Sequence, residues 1–260
     1  MKQSIFLSVV IVVTLAVAIS LYWFILGNPA NFKDGENRQQ PITLMGTVFT
    51  GGVVVPILIM LTLMDFTLVF ERLFSLKKAA GRGSVTTFLK NVQTNLMAGK
   101  IDDAIRACDA QRGSAANIIR TGLERYKTIV GDKSLDPEKK MAETQRAIEE
   151  ATSLETPLLE RNLIALSTIA SIATMFGLLG TTIGMIRAFT ALAKAGGAPD
   201  AIQLSIGISE ALVNTALGLL AAIIGIVAYN FFVTKVDNFT YMIDEASYNV
   251  VQILNTKTTA

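Results

Sequence analysis

The fold is decided by two stretches in the C-terminal half: residues 162–192, NLIALSTIASIATMFGLLGTTIGMIRAFTAL, and residues 202–234, IQLSIGISEALVNTALGLLAAIIGIVAYNFFVT. Each exceeds the ~20 apolar residues a helix needs to cross a bilayer. Between them lies Ala195-Gly196-Gly197-Ala198-Pro199-Asp200, whose composition predicts a tight turn, so the two spans form a helical hairpin. Neither reads as a plain lipid anchor. Gly, Ala, Ser and Thr recur where an anchor would carry Leu and Ile, and Glu210 and Asn214 fall inside apolar sequence.

Two further apolar runs lie upstream. The first, Ile5–Leu26, has 22 residues and ends in Tyr22-Trp23-Phe24-Ile25-Leu26. A secretory signal has an apolar core of about 7–15 residues. The run is therefore read as a retained span with an interfacial aromatic cluster, and Ala16-Val17-Ala18 as the place where a leader would be cut. The second, residues 42–70, opens with helix-weakening Gly46, Gly51, Gly52 and Pro56 and carries Asp65 in its last third.

At Glu71 the character changes. Residues 71–162 hold 16 of the 23 Lys and Arg and 13 of the 21 Asp and Glu, so this segment is soluble. Its pattern is helical over Val85–Met97, Ile101–Ala110, Ala115–Val130 and a long run from Pro137, with breaks at Gly99, Gly113 and Gly131-Asp132. Gly99-Lys100-Ile101-Asp102-Asp103-Ala104 hints at a helical-hairpin repeat, but no second copy follows, and a small bundle bracing the membrane part is the simpler reading. From Pro137 to Leu192 only Pro157 interrupts the pattern. A continuous helix there would be ~84 Å long. The tail, with apolar Val236, Phe239, Ile243, Val250 and Leu254, is expected to continue the last helix.

The sequence thus predicts an all-α integral membrane protein: 1–27 a span or leader, 28–41 a periplasmic loop, 42–70 a span, 71–161 a cytoplasmic helical domain, 162–234 the hairpin and 235–260 a cytoplasmic tail. Its 51% hydrophobic and 17% charged residues agree with the class, soluble domains being ~25% charged. Orientation rests on Lys and Arg at the span ends. Arg72, Lys77, Lys78, Arg82, Arg161 and Lys235 lie on the charged side, against Lys33, Arg38 and Lys194 on the other. With no His and a single cysteine, Cys108, the chain has no intrachain disulfide, Cys–His nucleophile or His-ligated metal. No nucleotide loop appears. A non-enzymatic membrane protein without cofactor, metal or nucleic-acid partner is expected.

Residues i, i+3, i+4 and i+7 share a helix face. In the third span Ser167, Ser171, Thr174, Thr181 and Ala188 form one stripe, and Gly177, Gly180 and Gly184 a second. In the fourth, Ala211, Thr215, Gly218, Ala222 and Gly225 form a small-residue stripe, with Glu210 and Asn214 about 140° round from Thr215. Helix packing accounts for the small residues taken alone. Thr181 and Thr215 on adjacent helices would line a narrow hydrated seam. A charged Glu210 in hydrocarbon must face protein or water, be paired or be protonated, unless it lies at the interface near the turn. Asp65 is a secondary ionisable candidate, with Arg72 seven residues on as a same-face partner. One carboxylate and a row of hydroxyls suit protons or small cations. One subunit offers no continuous path, so a pore needs several copies or a partner helix.

The paired segments GLLGTTIGMIRAF (177–189) and GISEALVNTALGL (207–219) resemble the MotA/TolQ/ExbB proton-channel family, most closely its ExbB branch. The strong match covers roughly 160–235, and the order of elements extends it over about 42–254. The resemblance implies three spans of the family pattern, with long helices running into a cytoplasmic bundle; the additional N-terminal span, Ile5–Leu26, departs from the simplest form of that pattern. It implies a homopentamer in the bacterial inner membrane around an ExbD-like single-span partner with an intramembrane Asp. Proton flow would then energise a TonB-like protein for transport across the outer membrane. By position, the resemblance makes Thr181 and Thr215 pore-lining hydroxyls and Glu210 the acidic residue of the last span; Thr174 and Asn214 join them as ion-pathway candidates from the stripes, and Gly177, Gly180, Gly184 and Gly218 are read as packing. A TolQ-like or flagellar-stator-like motor driven by protons or sodium, or a non-conducting membrane scaffold, are the alternatives.

Overall fold

The computed structural model describes residues 2–132, 134–194 and 201–258, and these are mostly helical, with no strand among them beyond one isolated bridge between Phe32 and Pro41. The helices are α1 (Lys2–Ser20), α2 (Leu44–Phe49), α3 (Val54–Ala80), α4 (Val85–Met97), α5 (Ile101–Gln111), α6 (Ser114–Val130), α7 (Pro137–Glu160), α8 (Leu163–Lys194) and α9 (Ala201–Thr258). Four helical segments are long and apolar enough to cross a membrane: Ile5–Leu26, Val54–Met97, Pro137–Ala193 and Ala201–Lys257. The architecture is that of an all-α membrane protein. The turn expected at Ala195–Asp200 lies outside the described residues.

The chain divides into two compact units, one of Met1–Phe70 with Asn162–Asn230 and one of Glu71–Arg161 with Phe231–Ala260. In the first, α1 ends in a π-helical turn, Leu21–Leu26, closed by the Gly27 amide on the Tyr22 carbonyl at 2.9 Å. This turn carries an aromatic cluster. Tyr22 stacks on Phe49 at 4.5 Å between centroids and donates its hydroxyl to the Phe49 carbonyl at 3.2 Å, while Arg38 lies over Trp23 at 5.5 Å. Most large side chains of α1 that are described, including Ile5, Val9, Val12 and Val13, remain exposed, which suits contact with lipid.

The second unit is a water-type bundle. Its core takes Phe88, Val92 and Leu96 from α4, Ala104 and Cys108 from α5, Ile119, Leu123 and Tyr126 from α6, Met141 from α7, and Ala246, Val250 and Leu254 from α9. The spacing of three or four residues within α4, α5, α6 and α9 is the amphipathic stripe that sequence periodicity predicts. Arg125–Glu143 at 2.5 Å and Arg120–Asp109 at 3.1 Å decorate the exposed side. Glu143 is partly exposed, and the hydrogen bond from the Arg125 guanidinium holds its carboxyl below the usual range.

Two expected helices are broken. The span over 42–70 is interrupted between α2 and α3, where Gly52 adopts a positive φ of 73° that side chains avoid. The long helix from Pro137 to Leu192 is two helices, because Asn162 takes a left-handed φ of 62°, a conformation Asn tolerates better than most residues. The end of α7 is capped from the side. Arg72, wholly buried, donates Nη1 to the Leu159 carbonyl at 3.2 Å, while its Nε and Nη2 bind Glu71 at 2.7 Å each. A cation at a helix C-terminus satisfies a carbonyl left without an amide and complements the dipole.

Cys108 reports on this core. Burial, reinforced by the Asp109 charge, pushes its thiol up to about 12. At pH 8 the reactive thiolate is then about one part in ten thousand. In the folded chain Cys108 is expected to resist alkylation by iodoacetamide at pH 8 and to label fully after denaturation. Rapid labelling of folded protein would show the α5–α6 packing to be wrong.

Candidate ion-pathway site

The site is built where α8 and α9 run antiparallel with their backbones in contact. A Cβ on Gly184 would lie 2.5 Å from the Ala211 nitrogen, and one on Gly218 would lie 2.7 Å from the Gly177 Cα. Only hydrogen fits at these positions, as in other close membrane helix pairs. The same register aligns Gly207 with Ala188, and sets Gly180 against Asn214, whose Cβ stands 2.3 Å from where a Gly180 side chain would begin.

This register brings Thr181 and Thr215 into direct hydrogen-bond contact through their hydroxyls, both half-buried within the chain. Each hydroxyl also reaches back to its own helix, Thr181 to the Gly177 carbonyl at 3.2 Å and Thr215 to the Ala211 carbonyl at 3.1 Å. Two hydroxyl protons thus serve three contacts, since each hydroxyl carries one proton and two acceptor lone pairs. Either Thr181 donates across and Thr215 donates back, or the reverse. The two proton placements use the same heavy-atom positions.

About two turns along the hairpin, Arg187 Nη1 donates to Glu210 Oε2 at 2.8 Å. Glu210 is 1% exposed in its side chain and Arg187 55%, so the carboxylate is buried and its partner reaches outward. Glu210 sits on the Gly52 turn: a Cβ at Gly52 would lie 2.6 Å from Glu210 Oε1. Beside it the Asn214 amide donates to the Gly51 carbonyl at 2.8 Å, and the Thr50 and Ser209 hydroxyls meet at 3.2 Å. The helix break between α2 and α3 therefore exposes backbone that α9 side chains satisfy, as backbone inside a membrane requires.

The residues singled out by sequence fall into separate places. Thr181 and Thr215 are brought together, and Glu210 is paired. Thr174, on α8, bonds back to the Ala170 carbonyl at 3.1 Å, and Asn214 is fully buried against Gly180 and Gly51, away from the hydroxyl pair. Arg72 is not the partner expected for Asp65: its guanidinium is taken by Glu71 and Leu159, and both Asp65 oxygens lack a hydrogen-bond partner among the described residues. Sequence reasoning missed Arg187 and the Gly51–Gly52 turn. Arg187 was within reach, because pairing Thr181 with Thr215 on antiparallel helices puts Arg187, six residues on, beside Glu210, five residues back. The Gly51–Gly52 contact carries no such signal.

An antiparallel hairpin of long apolar helices with packed glycines, a hydroxyl pair and a half-buried ion pair is the arrangement of a helical membrane protein. Residues 110–245 match the family model described as the MotA/TolQ/ExbB proton channel family. The chain belongs to that family, and is ExbB-like. Its relatives include the Tol-Pal system protein TolQ of Pseudomonas aeruginosa, 29% identical over 195 residues that cover 73% of this chain and 83% of the relative. TolQ of Haemophilus influenzae is 42% identical over 96 residues, covering 36% of this chain and 41% of its own length. The biopolymer transport protein ExbB of Pseudomonas putida is 38% identical over 90 residues, covering 35% of this chain and 27% of its own. The last two matches thus span less than half of the relatives they join.

Removing Arg187 leaves a carboxylate buried without its partner. Arg187→Gln is expected to lower stability by ~1–3 kcal/mol, the exposed guanidinium moderating the loss. Adding Glu210→Gln should restore part of it. A double-mutant cycle on thermal unfolding in detergent reads the coupling, and strictly additive effects would show that the pair contributes nothing.

Proposed function

We propose that this chain is the channel-wall subunit of a proton-driven energiser of the ExbB type in a bacterial inner membrane. The observation that carries this reading is the Thr181–Thr215 hydroxyl contact flanked by the Arg187–Glu210 pair, in a chain whose family consists of proton-channel subunits. The hairpin supplies hydroxyls and one neutralised carboxylate, which is one wall of a pathway and not a whole one. Further copies of the chain, five in the expected assembly, complete the wall. An ExbD-like single-span partner brings the intramembrane Asp that takes up and releases the proton beside Thr181 and Thr215. The proton motive force is then passed to a TonB-like protein for transport across the outer membrane. A proton falling through 100 mV gains ~2.3 kcal/mol, so several must pass for one substantial mechanical step. The Lys and Arg bias at the span ends supports a cytoplasmic position for residues 71–161 and for the tail.

A second reading has its own support. The relative sharing the longer stretch with this chain among those above bears the name Tol-Pal system protein TolQ, so a Tol-Pal-type motor with the same proton chemistry and a different envelope partner is the alternative.

Thr181→Val and Thr215→Val keep side-chain volume and remove the hydroxyl. Each is expected to leave assembly intact and to lower proton-coupled activity tenfold or more, about 1.4 kcal/mol in barrier height. Native mass of the chain co-expressed with its single-span partner is expected to give five copies with two of the partner. Variants that assemble and retain full activity would refute the hydroxyl role, and a monomer that captures no partner would refute the subunit role.

A further inference from the structure

Two carboxylates among the described residues are essentially fully buried, Glu210 and Asp65. Glu210 has Arg187. Asp65 is 0% exposed, and neither of its oxygens has a hydrogen-bond partner among the described residues. It is not stranded at a surface. On α3 it lies between buried Leu61, Met64 and Leu68, and its side chain crosses to α8 and α9. The point where a Gly225 Cβ would sit is 3.2 Å from Asp65 Oδ1, 3.2 Å from the Leu166 carbonyl and 3.0 Å from the Ala170 Cβ. The missing side chain of Gly225 leaves the space that the carboxyl group uses.

An ionised carboxylate in such a place, without a donor or counter-ion, costs several kcal/mol, whereas a neutral acid costs far less and has a proton to donate. Apart from Asp65, the charged side chains described on the elements packed around it in this unit are Arg187 on α8 and Glu210 on α9, and these bind each other. Glu210 lies 15 residues from Gly225 along α9, ~22 Å away. A bound metal cation fits poorly, because hard cations take about six or more oxygen ligands, and among the described residues no cluster of three or more His, Cys, Asp or Glu stands here. The ligand that suits one buried carboxyl set among apolar side chains is a proton.

We propose that Asp65 is an intramembrane proton-binding site belonging to this chain itself. It holds its carboxyl group neutral in the assembled protein and exchanges the proton only when the contact among α3, α8 and α9 loosens. It is distinct from the hydroxyl pair: Gly225 lies ten residues beyond Thr215, ~15 Å along α9 and about 80° round the helix, on the face turned into the subunit. Loading and unloading it would change the charge at a three-helix contact by one unit, tying protonation to helix packing inside the subunit. The inference stands whichever partner or envelope system the chain serves.

Infrared spectroscopy of the assembled full-length protein in lipid, compared in H2O and D2O around neutral pH, detects the C=O stretch of protonated carboxyl groups without requiring transport. A protonated-carboxyl band is expected that falls to background in Asp65→Asn, which retains the neutral shape, and that moves in Asp65→Glu. Should Asp65→Asn fail to assemble, the shift in Asp65→Glu assigns the band by itself. Carboxyl regions that superimpose between the wild type and every variant that assembles would mean that Asp65 is ionised, and would overturn the proposal.

Discussion

Backbone contact between α8 and α9 is the constraint on which the site depends. At Gly177, Gly184 and Gly218 the two helices touch main chain to main chain, which leaves no freedom to slide by a residue without a clash. That fixed register sets the heights of Thr181 and Thr215, and of Arg187 and Glu210. In hydrocarbon, helices gain little from burying apolar surface against one another, so tight packing and internal hydrogen bonds carry the association. The small residues therefore hold the polar groups in place as well as admitting the close approach.

The second unit obeys the ordinary rules of water. Its helices carry apolar stripes three or four residues apart, and its ion pairs sit outside. Arg72 is the exception. A wholly buried guanidinium is tolerated because all the charge-assisted bonds it makes go to Glu71 and to the end of α7. The same logic operates around Glu210 in the first unit. In both, a buried charge is found beside a helix interruption, and in both the loosened backbone and the polar side chains satisfy one another.

Much of the fold was legible in the residues. α4, α6 and the start of α7 follow from periodicity and from Gly and Pro at their ends, and the apolar lengths give the long helices. The two unexpected breaks were not legible, because Asn162 and Gly51–Gly52 are weak stops by themselves. Distant groups decide them: Arg72 at the end of α7, and Asn214 with Glu210 at the turn before α3. The nearness of Thr181 to Thr215 could be read from two small-residue stripes on one hairpin. The surroundings of Asp65 could not, since looking along its own helix found Arg72, while the groups that enclose it come from α8 and α9.

The sharing of two protons among three contacts at Thr181 and Thr215 has a consequence for direction. The back-bonds are similar in length, 3.2 and 3.1 Å, and either hydroxyl can be the donor across the pair, so the contact has no fixed polarity. In the proposed pathway such an element would favour neither direction of proton movement. Rectification would then have to come from something lopsided. The Arg187–Glu210 pair is asymmetric in that way, standing to one side of the hydroxyls with its carboxylate buried and its cation turned outward.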